Sequence, residues 1–408
     1  MPFSAHPLAL IMSAALPSPR LSTLVFLSAL AILPINIFLP SLPQMAAEFG
    51  VDYGVMGLSL AAYALVSACL QLIVGPLSDR YGRRPVVLGA LAIFITASIG
   101  CALASNVWVF LACRLLQAVI APTYAVSLAV IRDTSTREQT AGRFGYLAMA
   151  WAIAPMLGPA AGGLLDQFFG WRASFHVLAL LGIAVLALCF TDLCETNRSR
   201  SPTLLEPYRA YPELLGSRRF LAYCLCMAFS VGAFYAFLAG APLAASAFDL
   251  SPAILGFYMG SITGGFMLGS FLAGRLAGKL PEASLLIGGR MLAFSDPLFG
   301  LVLYAAGVDH VAALFGPCLF VGVSNGLTQP SASAAAISVR ATQTASAAGL
   351  AGAITVAGAS LMAAITGAVL TEANARPGLL VVMLVSAFVA LAAALLARHF
   401  ETDGPKAR

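Results

Sequence analysis

The sequence predicts an all-α membrane protein, twelve transmembrane helices in two six-helix pseudo-repeats. Three observations carry that expectation. Hydrophobic residues make up 60% of the 408 and charged residues only 10%, where a soluble domain carries about 25% charge. Twelve apolar stretches follow one another, each near the ~20 residues that a helix rising ~1.5 Å per residue needs to cross the hydrocarbon core. One long polar interval, 192–220, divides them six and six.

Spans are expected at 21–40, 54–74, 86–104, 107–130, 143–164 and 173–191 in the first half, and at 221–240, 253–274, 284–305, 311–331, 343–370 and 378–397 in the second. The first opens after Arg20, behind a tail whose short apolar run lacks the basic start of a signal peptide. GPLSDRYGRRP at 75–85 separates the second from the third. There Gly75 and Gly82 permit a tight reversal with close helix approach, and Pro85 suits the first turn of a helix. Arg114 falls inside the fourth span, and paired prolines and glycines fill the fifth. Ser295, Asp296 and Pro297 interrupt the ninth. The chain thus divides into a tail (1–20), a bundle (21–191), a central loop (192–220), a second bundle (221–398) and a closing tail (399–408).

Charge sets the orientation, because Lys and Arg near span ends resist translocation. Eighteen of the 22 basic residues fall on the side of the termini, only Arg172 and Arg376 on the other, and Arg114 and Arg290 inside spans. Both termini are therefore expected in the cytoplasm, and the net charge of +5 is a topology signal, not a nucleic-acid footprint. The eight cysteines show no CxxC or Cys/His spacing and read as apolar filler, so no metal site is expected. His6, His176, His310 and His399 are scattered, which argues against an intramembrane enzyme, and no tail is long enough for a sensor's output domain.

The halves also repeat. GPLSDRYGRR at 75–84 aligns with GSFLAGRLAGK from Gly269, placing Arg80 on Arg275 and Arg84 on Lys279 with one inserted residue. Paired six-helix repeats are the architecture of alternating-access carriers, with the binding site between the halves near mid-membrane. Arg114 costs on the order of 2.5–3.5 kcal/mol on insertion scales, so it should face a cavity or a partner. Gln117, Ala121 and Tyr124 share its helix face and read with it as a cavity wall. Ser59, Tyr63 and Ser67 recur every four residues, lining the same cavity or packing helices together. Phe234, Tyr235 and Phe237, with Met149, Trp151, Asn325, Thr328 and Gln329, complete a wall that suits moderately hydrophobic small molecules.

Five stretches resemble one family. GPLSDRYGRRP resembles the loop 2–3 signature of the major facilitator superfamily. RLLQ at 114–117 followed by Arg132 and Asp133 resembles the fourth-helix motif of its drug/proton antiporter branch, and APMLGPAAGG at 154–163 the fifth-helix antiporter motif. NIFLPSLP at 36–43 resembles the first-helix segment of the Bcr/CflA (bicyclomycin and chloramphenicol resistance) subfamily, and GVSNGLTQP at 322–330 its tenth helix. The resemblance implies multidrug efflux across a bacterial inner membrane by a single chain, with a small-molecule substrate and a proton gradient in place of any cofactor. It implies that Gly75, Asp79, Arg80, Gly82, Arg83, Arg84 and Asp133 form a conformational latch. Pro155, Gly158, Pro159, Gly162 and Gly163 would seal the surface between halves against ion leak.

The chain departs from that pattern where Asn36 replaces the usual proton-exchanging aspartate and Phe38 the usual tyrosine. An amide cannot titrate. Asp296 takes over coupling, or it only restarts a broken ninth helix between an N-cap Ser295 and a first-turn Pro297. Otherwise coupling uses Asp79 and Asp133 or the substrate's own charge, or the carrier is an uncoupled facilitator or metabolite exporter.

Overall fold

A computed structural model describes residues 19–197, 206–276, 279–339 and 344–402. Twelve helices in it are long and apolar enough to cross a membrane: α1 (Leu21–Phe49), α2 (Tyr53–Tyr81), α3 (Arg83–Leu103), α4 (Val107–Thr134), α5 (Gly142–Phe169), α6 (Arg172–Asp192), α7 (Arg218–Phe248), α8 (Pro252–Leu276), α9 (Ala283–Ala305), α10 (Val311–Ser338), α11 (Ser346–Val369) and α12 (Ala375–Phe400). Of the residues expected to set orientation, Arg198, Arg200, Arg340, Lys406 and Arg408 lie outside the described residues, as does most of the first tail.

Helix edges differ from the sequence expectation in an instructive way. The stretch 75–81 is not a loop: α2 continues through it, α3 starts at Arg83, and Gly82 alone makes the turn with φ +107°. Charged side chains end the apolar stretch but not the helix, which runs on to Tyr81. Gly75 faces open space and supports no close approach. The ninth span is unbroken through Pro297, so Asp296 does not restart a helix. A membrane helix tolerates the one hydrogen bond a proline removes when neighbours re-satisfy the backbone.

The two most extensive contacts between the halves are α5 packed along α8 and α2 along α11. Glycines make the approach close. A Cβ on Gly163 would overlap the Pro252 carbonyl, one on Gly256 the Pro159 carbonyl, and one on Gly260 the Met156 carbonyl. Gly54 meets Gly367 in the same way, and the Tyr53 hydroxyl donates to the Ala239 carbonyl at 2.6 Å. Without a hydrophobic drive between helices in lipid, such backbone proximity is what holds them together. These contacts lie toward the end of the bundle remote from the termini. On that side Arg172 pairs with Glu48 and Arg376 with Asp309.

Candidate substrate chamber between the two halves

The chamber grows out of a break in α1. Pro34 and the turn Leu39–Ser41 interrupt that helix, and Asn36 stands at the interruption with its Nδ2 donating to the Ile32 carbonyl at 3.0 Å. Its Oδ1 is buried without a partner. Across from it, Thr263 of α8 buries a hydroxyl that also has none. Both residues line a cavity of about 260 Å³ walled by α1 and α5 from the first half and α7, α8, α10 and α11 from the second. Trp151, Pro155, Phe234, Tyr235, Asn325 and Gln329 lie on the same wall, and no charged side chain does.

Two arginines stand behind the wall. Arg114 is fully buried within the first half. Its Nη1 donates to Gln117 Oε1 at 2.6 Å and its Nη2 to the Ser59 carbonyl at 3.3 Å, and Gln117 in turn donates to Ser98 Oγ at 2.7 Å. Its guanidinium lies 4.3 Å from the Phe38 ring centre and 4.5 Å from that of Tyr63. Arg290 is buried in the second half, where it donates to Ser230 Oγ, Thr328 Oγ1, Asn325 Oδ1 at 3.1 Å and the Ser324 carbonyl at 3.0 Å.

The sequence-predicted wall is therefore split. Asn36, Phe234, Tyr235, Asn325 and Gln329 line the chamber. Arg114, Gln117, Phe38 and Tyr63 do not; they form a closed cage in the core of the first half, because a cation in lipid is best satisfied by aromatic faces and amides wrapped around it. Tyr124 stands one layer back, its ring stacked on Trp151 with centres 4.4 Å apart. Met149 is 50% exposed on the outer side of α5, away from the chamber. Thioethers suit lipid and core equally, so the sequence carried no sign of its direction. Missed by the sequence were Ile262, Thr263 and Phe266 of α8 and the role of Arg290, whose signal was its position inside a span.

The charged turn is a tight cluster in the first half. Arg83 bridges Asp79 at 2.9 Å and Asp133 at 2.8 Å. The Arg83 and Arg84 amides donate to Glu195, Asn197 donates to the Asp79 carbonyl, and Arg84 donates to the Phe190 carbonyl. Arg80 lies over the Tyr81 ring. Among the described residues the cluster makes no bond to the second half, and the repeat's counterpart Arg275 lies over Phe271. Of the fifth-helix residues, Gly158 packs on Asn36, Gly162 on Ile37, Gly163 and Pro159 on α8, and Pro155 reaches the chamber. Asp296 is separate from all of these, in a groove between α9 and α10.

Twelve spans around a buried, uncharged chamber, sealed at one end by glycine contacts between two bundles, define the class of polytopic membrane carriers. A profile of the Major Facilitator Superfamily matches residues 24–341. The multidrug resistance protein MdtL of Escherichia coli is 32% identical over 290 residues, 69% of this chain and 71% of its own length. An uncharacterised MFS-type transporter, YdgK of Bacillus subtilis, is 35% identical over 277 residues, 65% and 69% of the two chains. A chloramphenicol resistance protein of Pseudomonas aeruginosa is 38% identical over 215 residues, and the match spans about half of it (51%). The fold alone is shared with a bacterial homologue of the lysosomal transporter Spinster in an inward-facing, unoccupied conformation (TM-score 0.76, 16% identity, 95% of this chain and 98% of that one). It is also shared with a D-xylose-proton symporter (TM-score 0.77, 14% identity, 95% and 99%). The chain belongs to the Major Facilitator Superfamily.

Proposed function

We propose that this transporter exports small, moderately hydrophobic, neutral compounds from the bacterial cytoplasm by alternating access, with protons moving the other way. The observation that carries the reading is the chamber: aromatic and aliphatic walls, no charge, and two unpartnered polar atoms, Asn36 Oδ1 and Thr263 Oγ1, on opposite halves. A solute that donates to the first and bonds the second satisfies both only when the halves are together around it, which couples binding to closure. The resistance proteins among its relatives support a drug-like substrate. The clustering of basic residues supports cytoplasmic termini in the inner membrane.

Alternation follows from the two ends. The far end is sealed by the glycine contacts of α5 with α8 and α2 with α11, while among the described residues the Arg83 cluster is engaged only within its own half. When the terminal end closes, half-exposed Asp79 is free to exchange its bond to Arg83 for one to the second half, so the cluster acts as the latch. The chamber holds no carboxylate, so proton exchange runs through Asp79 and Asp133 or through Asp296. An uncoupled facilitator is the second reading, favoured by Asn36. Chloramphenicol flux into inside-out proteoliposomes, with and without an imposed pH gradient, separates them. The proposal expects accumulation that the gradient drives and that Thr263→Val weakens. Equal flux with and without the gradient refutes antiport, and no flux of any neutral drug tested refutes the substrate class.

A further inference from the structure

Asp296 does not touch the chamber, and what surrounds it is a second cavity. A groove of about 650 Å³ runs between α9 and α10, lined by Leu292, Asp296, Phe299 and Leu303 on one side and by Gly316 and Phe320 on the other. None of these residues belongs to the chamber wall. Phe299 and Phe320 are 58% and 48% exposed on the outer surface of the bundle, so the groove opens to lipid, not to the space between the halves. Asp296 itself is only 7% exposed, and its Oδ2 has no hydrogen-bond partner. No cation pairs with it among the described residues. The other deeply buried acid, Asp166, has Ser41 and Gln44 beside it.

A carboxylate with no partner in hydrocarbon is costly unless it takes up a proton or meets a cation, and the lining of the groove shows which guest would supply the second. An anion is repelled. A neutral amphiphile fills the apolar walls and leaves the carboxylate unpaired. An organic cation with a hydrophobic body does both, with two aromatic rings flanking its charge. Gly316 adds room: a Cβ there meets nothing within 4 Å. Lipid headgroups do not reach, since Asp296 lies nine residues, about 13 Å at ~1.5 Å per residue, below the end of α9 at Ala305. We propose that the groove between α9 and α10 is a lateral, membrane-accessed binding site for lipophilic organic ammonium ions, with Asp296 as counter-ion. It goes beyond the reading of the chamber and stands whether or not the chamber transports neutral drugs.

The test is equilibrium binding of radiolabelled benzyltributylammonium, a permanent cation, to the full chain in nanodiscs of zwitterionic lipid. Saturable binding of one cation per chain is expected. Asp296→Asn weakens it at least about tenfold by removing the counter-ion. Gly316→Leu weakens it by about as much, filling the groove from α10 and leaving the carboxylate in place. Melting curves in the same nanodiscs check that each variant is folded; if Asp296→Asn is not, Gly316→Leu still decides the matter. Absence of saturable binding, equal affinity in wild type and Asp296→Asn, or loss with Asp296→Asn but not with Gly316→Leu overturns the proposal.

Discussion

Each half of the molecule buries one arginine within a helix, and the two are held in opposite ways. Arg114 sits in an aromatic cage with one amide and one carbonyl. Arg290 sits among four oxygen acceptors and, among the described residues, lies over no aromatic ring: Ser230, Ser324, Asn325 and Thr328 accept its hydrogen bonds. Neither meets a carboxylate among the described residues. The consequence lies in what stands next in line. The cage around Arg114 closes on the core of its own bundle, whereas Asn325, held by Arg290, is itself part of the chamber wall. The first cation should therefore govern folding of its half, and the second should govern both folding and what the chamber binds.

Removing Arg290 tests the stronger side of that contrast. Arg290→Ala leaves several buried acceptors without a donor, each worth about 1–3 kcal/mol, so a stability loss on the order of 4 kcal/mol is expected. Asn325 also loses one of the two bonds that fix its orientation, keeping only its Nδ2 donation to the Ser230 carbonyl at 3.2 Å, so drug flux per folded molecule should drop by at least about tenfold. Thermal unfolding in detergent and flux normalised to folded protein measure the two separately. Normal flux through Arg290→Ala would erase the distinction between the halves. Arg114→Ala is the complementary case. Loss of packing and of cation–π contacts should cost about 3 kcal/mol, yet flux per folded molecule should stay within about twofold of wild type, since no residue of the cage lines the chamber. A stable Arg114→Ala protein that cannot bind substrate would return Arg114 to the chamber.

This contrast shows how far the sequence could be read. The spans were legible because lipid demands about twenty apolar residues and nothing else in the chain competes with that signal. Asn36, Asn325 and Gln329 were legible as chamber residues because polar groups stand out in apolar helices. Direction was not legible where both faces of a helix are apolar, one toward lipid and one toward protein. Met149 was therefore assigned inward and Ile262 and Phe266 were passed over. Arg114 was rightly marked as needing a partner, but whether that partner is a cavity or a cage depends on how α4 meets α1 and α2, a tertiary fact. Gly82 shows the same limit at the turn: its charge pattern marked the end of the membrane, and only the backbone marked the end of the helix.

Asn36→Asp probes the charge balance the two arginines create. The new carboxylate would stand in a wall that carries no charge, and at a separation on the order of 10 Å a carboxylate attracts a cation by about 1.7 kcal/mol at an effective dielectric of 20. The two cations stand uncompensated behind a neutral wall, so the wild-type chamber should disfavour cationic solutes. The variant should shift the ratio of cationic to neutral drug flux upward by about tenfold. Competition between a cationic and a neutral drug in the same vesicles gives that ratio directly. An unchanged ratio would mean that the arginines are screened from the chamber in both halves.

The smallest expected effect concerns a place where the first half's inner layer touches the wall. Tyr124 stacks on Trp151 with ring centres 4.4 Å apart and planes 35° from parallel, and Trp151 is a chamber residue. Such a pair is worth about 0.5–1.5 kcal/mol beyond its buried area. Tyr124→Leu keeps apolar bulk but frees the indole to change rotamer, so apparent substrate affinity should weaken by about threefold. The maximal rate should hold, because nothing at the seal between α5 and α8 has changed. Trp151→Leu alone should lower affinity further, and adding Tyr124→Leu to it should have little additional effect, since the second substitution then has no ring left to release. If the two effects simply add, Tyr124 acts on the chamber by some route other than the stack, and the first half reaches its substrate through more than the tryptophan.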